Sequence, residues 1–270
     1  MQNVVELGAK MQLLLVIACA VLLLAPAAAA DKHSEQALPP GFVYLRNVAP
    51  SVVQDIRYAT DNNFTGRRVD GYDADECILH LDVAEAISKV QAELKLTNLS
   101  LKVYDCYRPL RAVATFFKWV AEPADAIQSR RFHPSVPKHK LFAKGYIASH
   151  SSHSTGYAVD AGLISISAIK YGNATSQVNS NECSQNRFDR SPDDGLDFGT
   201  GYDCFDVMSH TQASGLTAEQ VAVRRQLVNA MSSVGFKNYH REWWHFTFKN
   251  GGTQSYDIPV KSRPVNAPPN

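Results

Sequence analysis

Two imidazoles, three carboxylates and a guanidinium stand in three short, widely separated stretches of the 270-residue chain. Ser151-Ser152-His153-Ser154-Thr155-Gly156-Tyr157-Ala158-Val159-Asp160 places a histidine and a carboxylate seven residues apart. They can converge on one ion if the chain turns near Gly156, and Ala158 is small enough to admit a neighbouring element. Glu242-Trp243-Trp244-His245 sets a second acid and a second imidazole beside an apolar wall, where each needs a partner if buried. In a regular strand Glu242 and His245 point to opposite faces, so sharing one site requires a bulge or a strand end there. Asp105-Cys106-Tyr107-Arg108-Pro109 puts a guanidinium at a strand-to-helix turn, suited to a carboxylate or a developing oxyanion. Each stretch alone reads as ordinary: a polar loop histidine, a core strand with one surface acid, a surface arginine. Together, His153, Asp160 and His245 make a three-ligand set with an open fourth position, which is what catalytic zinc requires. Glu242 then supplies a general base for the attacking water. No HExxH helix motif and no G-x-S-x-G elbow is present.

The elements that must position these groups can be read from periodicity and caps. Val52–Tyr58 has strand character, and Leu101–Tyr104 alternates as a strand does. Asp82, with Glu85 as capping-box partner, predicts a helix to about Leu96 with Val83, Ile87, Val90 and Leu94 on one face. Pro109 opens a second helix with Val113, Phe116, Phe117 and Val120 inward. Thr217 with Gln220 caps a third, which buries Val223, Leu227, Ala230, Met231 and Val234 and stops at Gly235. Arg241–Phe248 reads as an aromatic strand. Strands and helices mix without a βαβ beat or a phosphate-cradling glycine loop, which gives an α+β class. A single domain over 43–262 is expected, with 31–42 a flexible lead-in and 263–270 a loose tail.

Composition narrows the class. Twelve Phe, 11 Tyr and three Trp exclude a disordered chain. Twenty-seven basic against 26 acidic residues argue against nucleic acid as a partner. Residues 11–24 are almost purely apolar and are followed by APAAAA, so 1–30 reads as an export signal cleaved near Ala30. Lys10 is the only basic residue ahead of the apolar run. The run is short for a membrane span of about 20 residues. Val16–Cys19 loosely resembles a lipoprotein box, but the apolar run continues past Cys19, so lipidation is the minor alternative. The expectation is a periplasmic or secreted protein with no stable membrane association after cleavage. Four cysteines then remain, an even number in an exported chain, which points to two disulfides. Of three pairings, Cys77–Cys106 and Cys183–Cys204 are preferred because each closes a loop of moderate length. A four-thiolate metal site would want CxxC spacing, and none is present.

These motifs resemble the D-alanyl-D-alanine dipeptidases, the zinc enzymes of the vancomycin-resistance type. SSHSTGYAVD at 151–160 and EWWH at 242–245 carry the resemblance. Tyr58-Ala59-Thr60, Asn63-Phe64-Thr65-Gly66, DCYRP at 105–109, FGTGYD at 198–203 and Ser209-His210 add to it. It runs from about residue 43 to 260. The resemblance implies a hedgehog/DD-peptidase-like fold, with a mainly antiparallel central sheet and flanking helices. It implies one Zn2+ on His153, Asp160 and His245. Glu242 would be the base and would pass its proton to the leaving amine, while Arg108 stabilises the oxyanion. Tyr58, Ser151 and Asp203 would line the pocket of a small D,D-dipeptide, with Asp203 pairing with its free α-amino group.

Two departures stand out. Cys106 occupies a position that is usually small in that family, and a bridge to Cys77 would pin the loop carrying Arg108. The polar stretch Ala161–Phe198 is longer than expected and ends just before Asp203, where it could alter the pocket entrance. Two other functions stay open: a zinc carboxypeptidase or endopeptidase acting on peptidoglycan stems, and a hedgehog-like zinc binding module without catalysis.

Overall fold

The computed structural model describes residues 38–171 and 179–264. The proposed signal, Cys19, most of the lead-in and the last six residues lie outside them. Among the described residues no helix is long and apolar enough to cross a membrane.

β1 (Phe42–Tyr44) runs into a one-turn helix, α1 (Leu45–Val48). β2 is only Val53–Gln54, because the chain then tightens into a 3₁₀ turn over Arg57–Ala59. The strand expected over Val52–Tyr58 is therefore cut short, and the turn delivers Arg57 and Tyr58 inward instead. β3 (Ile78–His80) leads directly into α2 (Leu81–Lys95). Asp82 is thus inside the first turn rather than at the cap. The amides of His80 and Leu81 are taken by the carbonyls of Gly156 and Gly41, and the Asp82 carboxylate accepts the amide of Val83. β4 is Leu99–Asp105, and Pro109 caps α3 (Leu110–Ala121). Val113 and Phe116 are buried as expected, and Ala112 and Trp119 join them. Phe117 turns outward and stacks on Phe142. α4 (Ala126–Phe132) is capped by the Asp125 carboxylate.

β5 (Ala158–Ser165) carries the first histidine stretch into the sheet and is followed by α5 (Ile166–Tyr171). α6 (Ala218–Ser233) has the complete Thr217/Gln220 capping box. β6 (Phe236–Asn238) and β7 (His245–Phe248) close the domain. Residues 239–244 form a turn, so the strand expected from Arg241 begins only at His245.

The sheet has five strands in the order β2-β4-β5-β7-β6. Only the β2–β4 pairing is parallel; the other three are antiparallel. β1 and β3 form a separate antiparallel pair. α2 and α6 pack on the sheet, burying Val83, Ile87, Val90, Leu94, Leu227 and Met231. On β5, Val159, Ala161 and Leu163 alternate with Asp160 and Gly162, so core and site occupy opposite faces of one strand. Both preferred disulfides are present, Cys77–Cys106 and Cys183–Cys204.

Candidate metal centre and substrate cavity

The site grows from a single cross-strand row. Asp105 on β4 sits opposite Asp160 on β5, and Asp160 sits opposite His245 on β7. The β4–β5 register shifts between Val103 and Asp105, a bulge that re-aims the end of the strand. His153 reaches the same point from the 3₁₀ turn Ser152–Thr155, which ends at Gly156 with φ +78°. A Cβ at Gly156 would lie 2.4 Å from Cε1 of Phe42, so the turn that the spacing demanded depends on that glycine. Ser151 caps the turn by accepting the amide of His153 at 3.2 Å.

The three ligand candidates converge. His153 Nε2 lies 3.0 Å from His245 Nδ1 and 3.2 Å from Asp160 Oδ1, and His245 Nδ1 is 3.0 Å from Asp160 Oδ1. Donors about 2.0–2.2 Å from a tetrahedral zinc stand about 3.3–3.6 Å apart, so a small inward-facing triangle of this size fits the ion. The far nitrogens are committed elsewhere. His153 Nδ1 is 2.7 Å from the Cys106 carbonyl, which can only accept, so Nδ1 carries the proton and Nε2 presents its lone pair. His245 Nε2 is within reach of the hydroxyls of Ser152 and Thr247, at 3.3 and 3.2 Å.

Charge also favours a cation. Asp105, Asp160, Asp203 and Glu242 are buried around one guanidinium, that of Arg108. Burial raises the carboxyl pKa of Asp160, but the two neighbouring histidines outweigh it and hold that group low. Glu242 is pushed well above the usual range by burial and then by Asp160 and Asp203. Asp203 is pushed up to about 7 by burial and by Asp160, although the Tyr58 hydroxyl donates to it at 2.7 Å. Burial and mutual repulsion thus favour the protonated forms of Glu242 and Asp203, and a cation brought to this site would favour their ionised forms instead.

These groups line a cavity of about 310 Å³, at the small end of the range for ligand pockets. Tyr58, Arg108, Ser151, His153, Asp160, Asp203, Glu242 and His245 all contribute to it, so every residue singled out for metal, base, oxyanion or substrate lies in one place. Glu242 and His245 share it because Glu242 stands in the turn before β7 begins, the strand end that the sequence required. Trp244, Phe64, Phe116, Tyr146 and Phe205 give the apolar walls. Trp243 faces away, stacking on Phe198 at 4.0 Å and donating to Thr200. Among the described residues none between 161 and 198 lines the cavity.

Two groups gained their roles only in three dimensions. Asp105 is fully buried and accepts from Arg108 Nη2 at 2.7 Å, from the Tyr72 hydroxyl at 2.6 Å and from the Cys106 amide. Arg108 is thereby held with its guanidinium over the rings of Tyr58 and Phe116. Tyr202 donates to Asp160 Oδ2 at 2.9 Å, the carboxylate oxygen turned away from the histidines. An acid three residues before Arg108 was the one available signal for the first. The motif FGTGYD at 198–203 contained the second but did not mark its role.

Comparison with known proteins agrees with this site. The family model described as D-ala-D-ala dipeptidase (Peptidase_M15) matches residues 39–170 and 169–264. The chain is 31% identical over 223 residues to a D-alanyl-D-alanine dipeptidase of Enterococcus faecium, covering 82% of this chain and 98% of that one. It is 33% identical over 206 residues to one of Enterococcus faecalis, covering 76% and 90%. It is 31% identical over 221 residues to one of Streptomyces coelicolor, covering 81% and 98%. A match across nearly all of the described chain, together with relatives of this identity, shows that the protein is a peptidase belonging to the D-ala-D-ala dipeptidase family.

Proposed function

We propose that the protein hydrolyses the free dipeptide D-Ala-D-Ala to two D-alanines, using one zinc ion held by His153 Nε2, His245 Nδ1 and Asp160 Oδ1. The observation that carries this reading is the convergence of those three atoms in the cavity that Glu242 and Arg108 also line. When bound, zinc supplies Lewis-acid polarisation of the scissile carbonyl and lowers the pKa of water toward about 7. Glu242 takes the proton of the attacking water and returns it to the leaving amine. Its burial beside other carboxylates makes it a stronger base than an exposed glutamate. Arg108, fixed by Asp105, donates to the oxygen on which charge develops as the carbonyl carbon becomes tetrahedral. Asp203, with Tyr58, receives the substrate's free ammonium, and Ser151 lies at the same wall.

The same geometry supports the dipeptide over a longer stem. A peptide extended at its amino end brings no ammonium to Asp203 and leaves that acid buried without a cation. We further propose an exported, periplasmic or secreted protein, on the strength of the apolar segment 11–24 and the two disulfides.

The test is a side-by-side assay of free D-Ala-D-Ala and a muropeptide ending in D-Ala-D-Ala, with zinc content measured in parallel. Release of D-alanine from the dipeptide alone is expected. Equal turnover of the muropeptide would favour a carboxypeptidase, and bound zinc with no turnover of either would favour a binding module.

A further inference from the structure

We propose that Tyr202 is a positioning residue for the Asp160 carboxylate, and that residues 179–198 brace Tyr202 from behind through Asp193. The proposal deepens the reading above and rests on Asp160 holding zinc with His153 and His245.

Asp160 has two oxygens with different duties. Oδ1 faces the two histidines, and Oδ2 accepts the Tyr202 hydroxyl at 2.9 Å, with Arg108 Nη2 farther off at 3.8 Å. A carboxylate held by one oxygen cannot rotate about its terminal bond to present the other, so the Tyr202 bond fixes which lone pairs meet the ion. Tyr202 is itself immobilised. Its ring is buried and stacks on Tyr104 with centroids 4.5 Å apart and planes 13° off parallel. Tyr104 fits over β5 because Gly162 has no Cβ; one built there would lie 3.1 Å from the Tyr104 hydroxyl. Arg57 lies over both rings, at 5.2 and 6.0 Å.

Asp193 gathers this group. Its carboxylate accepts from Arg57 Nη2 at 2.8 Å, from Lys102 Nζ at 3.1 Å and from the Tyr104 hydroxyl at 3.2 Å. Asp193 belongs to the stretch that lines no part of the cavity. That stretch is also tied to the Asp203 segment by the Cys183–Cys204 bridge. Its place is the far side of the metal-holding carboxylate, which gives an otherwise unassigned segment a defined task.

The experiment measures the zinc dissociation constant by competition with a chromogenic chelator, for the wild-type protein, Tyr202→Phe, Asp193→Asn and the double variant. Thermal melts of the metal-free proteins run alongside. Tyr202→Phe keeps the ring and its stacking and loses only the hydroxyl. Zinc binding about 10–100-fold weaker, with an unchanged metal-free melt, is expected. Asp193→Asn is expected to weaken zinc several-fold in the wild-type background and to add little on top of Tyr202→Phe, because it acts through that residue. Zinc affinity of Tyr202→Phe within twofold of wild type would overturn the proposal. An Asp193→Asn effect of the same size in both backgrounds would overturn the brace. A wild-type protein that takes up no zinc would instead remove the metal reading itself, and this inference with it.

Discussion

Glu242 owes its proposed strength as a base to surroundings that disfavour its own charge. Burial and two neighbouring carboxylates make its proton affinity high, and its strand-end position aims it into the same cavity as the two histidines. Glu242→Gln is expected to keep zinc, measured by elemental analysis, and to lose about 10²–10⁴-fold in kcat. His153→Ala should lose the metal itself, because it removes one donor from a three-atom set. For Asp203→Asn the expected change is in selectivity: the preference for D-Ala-D-Ala over its N-acetylated form narrows, since an amide has no charge to match to the ammonium. Comparing kcat/KM for the two substrates reads this directly. At this scale the sequence was highly legible, since residue type and spacing led to the three side chains that converge as candidate ligands. Asp105 and Tyr202 stood in quoted motifs, but their roles stayed hidden because their partners are chosen by strand register and stacking, which no local pattern encodes.

The turn Ser152–Thr155 and its terminal glycine are the element on which the histidine depends. Gly156→Ala puts a side chain at positive φ and against Phe42, at a cost of about 1–3 kcal/mol. A lowered Tm with reduced zinc occupancy is expected; loss of stability with full occupancy would show that the turn does not place His153. The Cys77–Cys106 bridge acts on the same imidazole from the other side, since the Cys106 carbonyl holds Nδ1. The bridge spans 29 residues, and closing a loop of that length is worth about 3–4 kcal/mol in the chain-entropy picture. Cys77→Ser with Cys106→Ser should therefore melt earlier and bind zinc more weakly. Caps and turns explain where the sequence misled. Asp82 looks like a cap, but the helix begins at Leu81, and the Asp82 carboxylate accepts the Val83 amide from inside the first turn. Phe117 has the helical spacing of a core residue, yet Trp119 takes the inward place.

Across the whole molecule, the buried ion cluster behind the site couples stability to acidity. Burial raises the Asp193 carboxyl pKa, but Lys102 and Arg57 outweigh it and hold the group far below the ordinary carboxylate value of about 4. Its folded-state pKa is depressed, so its contribution is complete above that ordinary value and is lost as pH falls beneath it. Asp193→Asn should lower Tm near neutrality, and the gap to the wild-type protein should shrink as pH is taken from about 5 to 3. A gap independent of pH would show that charge is not what stabilises the pair. The α+β class and both disulfide pairings were readable from composition and spacing. A strand near Val53–Gln54 was readable too, but its parallel pairing with β4 was not, because a local pattern does not encode a partner's direction.

The row Asp105–Asp160–His245 has a further consequence for how such a chain can vary in length. Strand neighbours alternate sides, so one residue gained or lost between Gly156 and Asp160 would swing the acid into the helix-packed interior and replace it with Val159 or Ala161. Growth is tolerable only where no ligand lies downstream in the same strand. Most of the long polar stretch follows Ser165, once β5 has ended, so its length leaves the register of that strand unchanged.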